Sequence, residues 1–189
     1  EDKSQILLIK GAGADTLWLR KYQNAIRQHI PSYNPEGLDA WLETQDKGLQ
    51  EDGKSCGKLI EKKVKSIVLH KLEDLYGSTW ENQIKSIKGR CLMRMDDSED
   101  EVQNWTDYLN LQDFKEIIDN KWHTQKENDE NFITFEKEFS IQVTEAFRTK
   151  SDRIKWLNDL ISFSKSWTTT KGRALTLAEV NEIRTILQS

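Results

Sequence analysis

Apolar residues recur every three or four positions along most of the chain, which is the spacing of one face of an α-helix. The strongest run ends at Gly77 and predicts a helix of about five turns. Its apolar positions are Leu59, Ile60, Val64, Ile67, Val68, Leu72 and Leu75. Both prolines of the chain, Pro31 and Pro35, lie near its start, so the strongest helix breaker is missing from the long remainder.

The same spacing predicts two earlier helices. Residues 15–29 form the first, and residues 36–45 form a short second one after a loop that contains both prolines. A polar stretch, residues 46–54, separates the second helix from the strong run. The residues predicted to face inward are Leu17, Trp18, Tyr22, Ala25 and Ile26 in the first helix and Leu38, Trp41 and Leu42 in the second.

Three capping boxes predict where further helices begin, because a Ser or Thr followed three positions later by Glu satisfies free N–H groups at a helix start. They are Ser78 with Glu81, Ser98 with Glu101, and Thr176 with Glu179. The first predicts a helix that carries Trp80, Ile84, Ile87, Cys91 and Leu92, and the last precedes Val180, Ile183 and Leu187.

The C-terminal half continues the helical pattern. Residues 111–122 form a predicted helix, and residues 123–131 a loop. Residues 132–147 could be helix or partly strand, and helix is favoured. Ser151 or Asp152 is predicted to cap the next helix, which extends to about Trp167 before a turn at residues 168–174. That helix is predicted to bury Ile154, Leu157, Leu160 and Ile161.

These elements together predict an all-α bundle of about eight helices in one or two closely packed parts. The acidic residues 96–100 are the expected boundary, with an N-terminal part (1–95) and a C-terminal part (96–189). The apolar residues 6–9 could be a strand arriving from an upstream domain or only a tether. The abrupt opening suggests a piece of a larger protein.

Composition excludes several classes of protein. No apolar run approaches the ~20 residues of a membrane helix, so we expect no membrane partner and a cytoplasmic location. The two cysteines, Cys56 and Cys91, are expected to be free thiols. Seven tryptophans supply apolar anchors; Trp18, Trp41, Trp105 and Trp156 are expected in the core, whereas Trp122 and Trp167 are candidates for exposure.

The net charge of −4 is unevenly distributed. Residues 54–94 carry ten basic and four acidic side chains, residues 96–138 carry four and fourteen, and residues 148–173 carry seven and two. Two basic segments on one face would suit a nucleic acid or an acidic partner, although solvated helix faces explain the same pattern. The candidate nucleic-acid contacts are Lys150, Arg153, Lys155, Lys165, Lys171 and Arg173, with Trp167 as a stacking surface.

The chain contains no strong catalytic or ligand-binding motif. Gly11 and Gly13 follow an apolar run, but a third glycine and a second strand are missing, so a linker is favoured over a dinucleotide turn. The histidines 29, 70 and 123 form no metal-ligand pair at helical spacing and are expected at the surface or satisfied. We therefore expect no metal site, no cofactor and no catalytic residues.

The last 80 or so residues resemble the HEPN superfamily of all-α bundles, which occur in prokaryotic toxins, ribonucleases and multidomain anti-phage proteins. The resemblance depends on residues 108–122, which end in Asn120-Lys121-Trp122, on residues 156–160, and on residues 174–180 with their Leu175-Thr176 and Glu179-Val180. It covers less than half of the chain.

The resemblance also has a break. Where the family places Arg and then His of its ribonuclease motif, this chain has Ser164 and Lys165 and then Thr169. Hydroxyl groups do not titrate near neutrality, so they cannot replace a His that moves a proton. The resemblance therefore implies a degenerate, non-catalytic member. The leading hypothesis is an interaction or dimerisation module that binds itself or other domains of its parent, and nucleic-acid binding is the alternative.

Overall fold

The computed structural model describes residues 16–29, 38–98, 104–141, 149–168 and 173–189. All regular secondary structure in these ranges is helical, so the predicted all-α class is confirmed. Two 3-10 segments cover Gly77–Ile84 and Trp105–Tyr108. The α-helices are α1 (Thr16–His29), α2 (Leu38–Tyr76), α3 (Lys85–Asp96), α4 (Leu111–Lys121), α5 (Phe135–Phe139), α6 (Lys150–Arg153), α7 (Lys155–Thr168) and α8 (Leu177–Gln188).

Helix α2 is one continuous helix of 39 residues. The prediction of a short helix, a polar stretch and then a separate long helix was therefore wrong. Gly53 lies under Leu175, and Gly57 lies under Trp167. These contacts with the C-terminal region stabilise helical geometry in a segment whose polar, glycine-containing sequence does not favour it locally.

The core forms where α2 packs along α8 and against α4 and α7. It includes residues from both sides of the expected boundary at residues 96–100, which itself stays a prediction. The apolar stripe predicted for the helix that extends to about Trp167 is confirmed at Ile154, Leu157 and Leu160, while Ile161 is half-buried. The prediction of a single helix there was wrong, because Ile154 forms a turn between α6 and α7. The largest fully buried side chains are Trp156, Phe114 and Phe135.

The capping predictions had mixed outcomes. The box of Thr176 and Glu179 is present at the start of α8. The Ser78 box was wrong, because the backbone there is a 3-10 segment without a side-chain cap and α3 begins only at Lys85. The cap of the helix near residue 151 is Thr149, with Asp152 as its reciprocal partner. Glu101, the partner predicted for Ser98, lies outside the described residues.

Helix α1 buries a different face from the predicted one. Leu19 and Gln23 are buried, whereas Tyr22 is 52% exposed and Ala25 is exposed. The reason is polar docking on α2, since Gln23 donates a 2.8 Å hydrogen bond to Asp39. On α2 itself, Leu42 is buried as predicted, but Trp41 is 42% exposed. The side chains of Leu17, Trp18 and Leu38 lie outside the described set.

Of the remaining tryptophans, Trp156 is buried as predicted. Trp105 is half-buried, with its ring centroid 5.7 Å from that of Trp80. The expected exposure of Trp122 was wrong, because its side chain is only 3% exposed and the Lys150 ammonium covers its ring. For the ambiguous segment 132–147, Phe135–Phe139 is helical, and residues 142–148 lie outside the described ranges.

No helix in the described ranges is long and apolar enough to cross a membrane. Cys56 and Cys91 are both free, as predicted. Helices α3 and α4 are joined by the carboxylate of Asp113, which is almost fully buried and accepts hydrogen bonds from Arg90 and Arg94. This network fixes the first residues of α4. These residues border the cleft that is described next.

Candidate functional site

A cleft of about 390 Å³ lies between α2, the start of α4 and the end of α7. Its volume is at the small end of the range typical of ligand pockets. Its walls are mostly apolar, with polar groups at intervals. The lining residues are Glu61, Asn110, Leu111, Gln112, Ile161, Ser164, Lys165, Trp167 and Thr168.

The start of α4 forms one wall because a capping box fixes it. The Asn110 side chain accepts hydrogen bonds from the N–H groups of Gln112 and Asp113, and the Asp113 carboxylate accepts one from the Asn110 N–H. Both Asn110 and Gln112 therefore border the cleft in a fixed orientation.

Glu61 is the acidic residue of the cleft wall. Burial raises the pKa of its carboxyl group, and the opposing influences are the nearby Lys58, a hydrogen bond from the Leu111 N–H, and Lys65. The carboxyl group of Glu61, on α2, thus lies near the Leu111 N–H at the start of α4.

The end of α7 forms the opposite wall. The Ser164 hydroxyl donates a 2.8 Å hydrogen bond to the Ile161 carbonyl, and the Thr168 hydroxyl donates a 2.9 Å bond to the Ser164 carbonyl. Both hydroxyl groups thus satisfy backbone of their own helix. The Trp167 indole, beside them, packs against Gly57 of α2 and closes one end of the cleft.

Two of the three residues of the predicted degenerate site, Ser164 and Lys165, line this cleft. The third, Thr169, lies outside the described residues. Sequence reasoning did not assign Glu61, Asn110 and Gln112 to a site. Asn110 and Gln112 lie in the resemblance segment 108–122, but no local motif marks them or Glu61 as site residues.

Most of the candidate nucleic-acid contacts form ion pairs within the chain. Lys150 Nζ lies 3.0 Å from Asp119 Oδ1. Arg153 pairs with Glu136, Lys155 with Asp159, and Arg173 with Glu179. Lys165 and half-buried Trp167 line the cleft, and Lys171 lies outside the described residues.

The three histidines lie at the surface, as predicted, and away from the cleft lining. His70 pairs with Asp74 on α2, and His123 pairs with Glu136. Among the described residues, no group of three or more His, Cys, Asp or Glu side chains is arranged to hold a metal ion. Among the described residues, the side chains that line the cleft carry hydroxyl, amide, ammonium and carboxyl groups. None of them carries an imidazole or a guanidinium group.

A larger cavity of about 480 Å³ lies beside α1 and the residues that lead into α8. Its charged groups satisfy one another, since Arg20 Nη2 lies 2.6 Å from Asp46 Oδ2 and Arg173 pairs with Glu179. The smaller cleft contains two of the predicted site residues, Ser164 and Lys165, and is therefore the stronger candidate site.

Comparison with known proteins adds no relative: no protein-family model, no curated protein and no solved structure matches the chain. The interpretation of the cleft therefore depends on its own geometry and on the resemblance in sequence.

Proposed function

We propose that the chain is a non-catalytic helical module that binds a protein surface, either a second copy of itself or another domain of a larger protein. The composition of the cleft carries this proposal. Where a HEPN-type ribonuclease would have its Arg, the cleft wall has Ser164 and Lys165. Thr169 stands at the position of the His. Imidazole is the side chain that ordinarily transfers a proton near neutral pH, and the described lining of the cleft contains none.

Exposed aromatic side chains support the interaction role. Tyr22 on α1 and Trp41 on α2 are 52% and 42% exposed. The two helices are antiparallel, because Arg27 near the end of α1 pairs with Asp39 near the start of α2. Tyrosine and tryptophan are enriched in protein interfaces because they bury much apolar area and still hydrogen-bond. We call Tyr22 and Trp41 the aromatic pair and assign the main contact surface to it.

The alternative of nucleic-acid binding through residues 150–173 is less well supported. Lys150, Arg153 and Lys155 each have a carboxylate partner within the chain, as does Arg173. A phosphate would have to compete with these carboxylates. Salt-dependent binding of RNA or DNA that is lost on substituting these residues would favour the alternative instead.

Light scattering coupled to size-exclusion chromatography tests the proposal. We expect the mass of the eluting species to rise above that of one chain as the concentration increases. The substitutions Tyr22→Ser and Trp41→Ser together should lower that mass. Met93→Ser with Ile133→Ser is the matched control, because both of these residues are exposed apolar side chains on other elements. A single-chain mass at every concentration, with no binding to the rest of its parent protein, would refute the proposal.

A further inference from the structure

A row of lysines follows the surface of α2 next to the cleft. Lys54, Lys58 and Lys62, which we call the lysine row, are spaced four residues apart and therefore lie on one face of the helix. All three are exposed, and none makes an ion pair with a residue that the structure describes. Residues 54–71 contain six lysines and a single acidic residue, Glu61. The row therefore concentrates positive charge on one face of α2.

The lysine row and the cleft are adjacent. Glu61 lines the cleft and lies close enough to Lys58 for that ammonium to oppose the rise in its pKa. Trp167, at the end of the cleft, packs against Gly57, the residue before Lys58. On the far side, Lys165 is a further exposed ammonium on the cleft wall. A mostly apolar cleft is thus bordered by lysines on α2 and on α7.

We propose that the cleft and the lysine row together bind an acidic protein segment that carries one large apolar side chain. This inference rests on the proposed interaction function and names the chemistry of a partner. The apolar side chain enters the cleft against Leu111, Ile161 and Trp167, and the acidic residues beside it pair with the row. A buried apolar anchor supplies most of the affinity in such contacts, while the charges supply orientation and association rate.

The dimensions and charges favour a protein segment over a nucleic acid. From Lys54 to Lys62 the row extends about 12 Å, at 1.5 Å per helical residue. That length corresponds to about four residues of extended chain. The chain as a whole has a net charge of −4 and a strongly acidic region at residues 96–138, which repels a long polyanion. A short acidic segment meets less of that repulsion, because its carboxylates lie beside the lysine row and only its apolar side chain enters the cleft.

Fluorescence anisotropy tests the proposal with a labelled heptapeptide that has one phenylalanine between two runs of three glutamates. We expect binding at low salt, about 0.05 M, that weakens as salt screens the charges. Replacing the phenylalanine by serine should weaken binding about tenfold. The triple substitution Lys54→Glu, Lys58→Glu and Lys62→Glu should also weaken it by at least about tenfold. Lys→Gln at the same positions, which is milder for folding, should give a smaller loss.

The matched control is the triple substitution Lys21→Glu, Lys85→Glu and Lys137→Glu, which changes the net charge equally at exposed sites on other elements. It should retain wild-type binding. No binding, equal binding by the two Lys→Glu triples, or equal affinity for both peptides overturns the proposal. Tighter binding of an oligothymidylate with the same lysine dependence also overturns it and identifies a nucleic-acid site. Tyr22→Ser with Trp41→Ser leaves the cleft intact, so failure of self-association and failure of peptide binding are separately measurable.

Discussion

The indole of Trp167 lies so close to Gly57 that a Cβ atom at position 57 would be 2.6 Å from its Cζ2 atom. This approach joins the end of α7 to the middle of α2 and closes one end of the cleft. Glycine is needed at position 57 for space and not for backbone freedom, since the residue is inside a regular helix.

Gly57→Ala should therefore destabilise the protein although alanine favours helix. We expect a loss of about 1–3 kcal/mol from the forced displacement of Trp167, against a gain of up to about 1 kcal/mol in helix propensity. Urea unfolding measures the difference. Gly48→Ala is the matched control, because a Cβ there contacts nothing within 4 Å. It should stabilise by about 0.5–1 kcal/mol, and a loss at Gly48 equal to that at Gly57 would contradict the packing argument.

Asp113→Ala should be among the most destabilising single changes. Its side chain is 1% exposed, and Arg94 Nη1 donates to it over 2.5 Å. Removing the carboxylate deprives Arg94 and Arg90 of one partner each and removes half of the α4 capping box. We expect a loss of about 2–4 kcal/mol by urea unfolding from these charge-assisted hydrogen bonds and the cap. Asp129→Ala, which breaks a more exposed pair with Lys126, should cost under about 1 kcal/mol.

The pH dependence of stability should include a clear contribution from Glu179. Hydrogen bonds from Arg173 lower the pKa of its carboxyl group to about 2, below the ordinary value of 4.5. Because the pKa is lower in the folded state, the contribution is complete above the ordinary value and is lost as the pH falls toward 2. Glu179→Gln should reduce stability at pH 7 and make little difference at pH 2. Thermal unfolding across this range measures the effect.

Glu182, on the same helix, provides a control of opposite sign. Burial and the neighbouring Asp159 raise the pKa of its carboxyl group, so its charged form opposes folding at neutral pH. Glu182→Gln should therefore preserve or increase stability at pH 7. Equal losses for the two Glu→Gln changes would show that the charges do not act as described.

The buried face of α7 predicts a contrast between neighbouring positions. Leu157 and Leu160 are fully buried, so Leu→Ala at either position should cost about 2–5 kcal/mol. Ser164 is half-buried and bonds only to its own helix, so Ser164→Ala should change stability by less than about 1 kcal/mol. Comparable losses at Ser164 and Leu157 in urea unfolding would show that the hydroxyl has a larger structural role.

Local sequence signals predicted the elements that local interactions determine. The box of Thr176 and Glu179 marked α8, and the apolar spacing of α7 marked its buried side. The sequence pattern predicted the wrong structure where tertiary contacts determine it. Gly53 and Gly57 lie under Leu175 and Trp167, and these contacts keep α2 continuous. Polar docking on α2 likewise rotated α1 away from the face that its apolar residues suggested.

The cleft was only partly predictable for the same reason. Ser164 and Lys165 were identified by resemblance, and both line it. Glu61 and Asn110 reach the cleft from segments distant in sequence, and neither belongs to a motif that announces a site. The lysine row was visible in the sequence as a basic segment, but its position beside the cleft follows only from the packing of α7 on α2.

Hydrogen exchange on the dilute and the concentrated protein tests the central claim, a contact surface at the aromatic pair, most directly. If the aromatic pair is the contact surface for a second copy, backbone amides around Tyr22 in α1 and Trp41 in α2 should exchange more slowly at high concentration. The segment Gly77–Ile84 is distant in sequence from Tyr22 and Trp41. Its amides should exchange equally at both concentrations. Unchanged exchange around Tyr22 and Trp41, or protection confined to Gly77–Ile84, would contradict the assignment of the aromatic pair as the contact surface for a second copy.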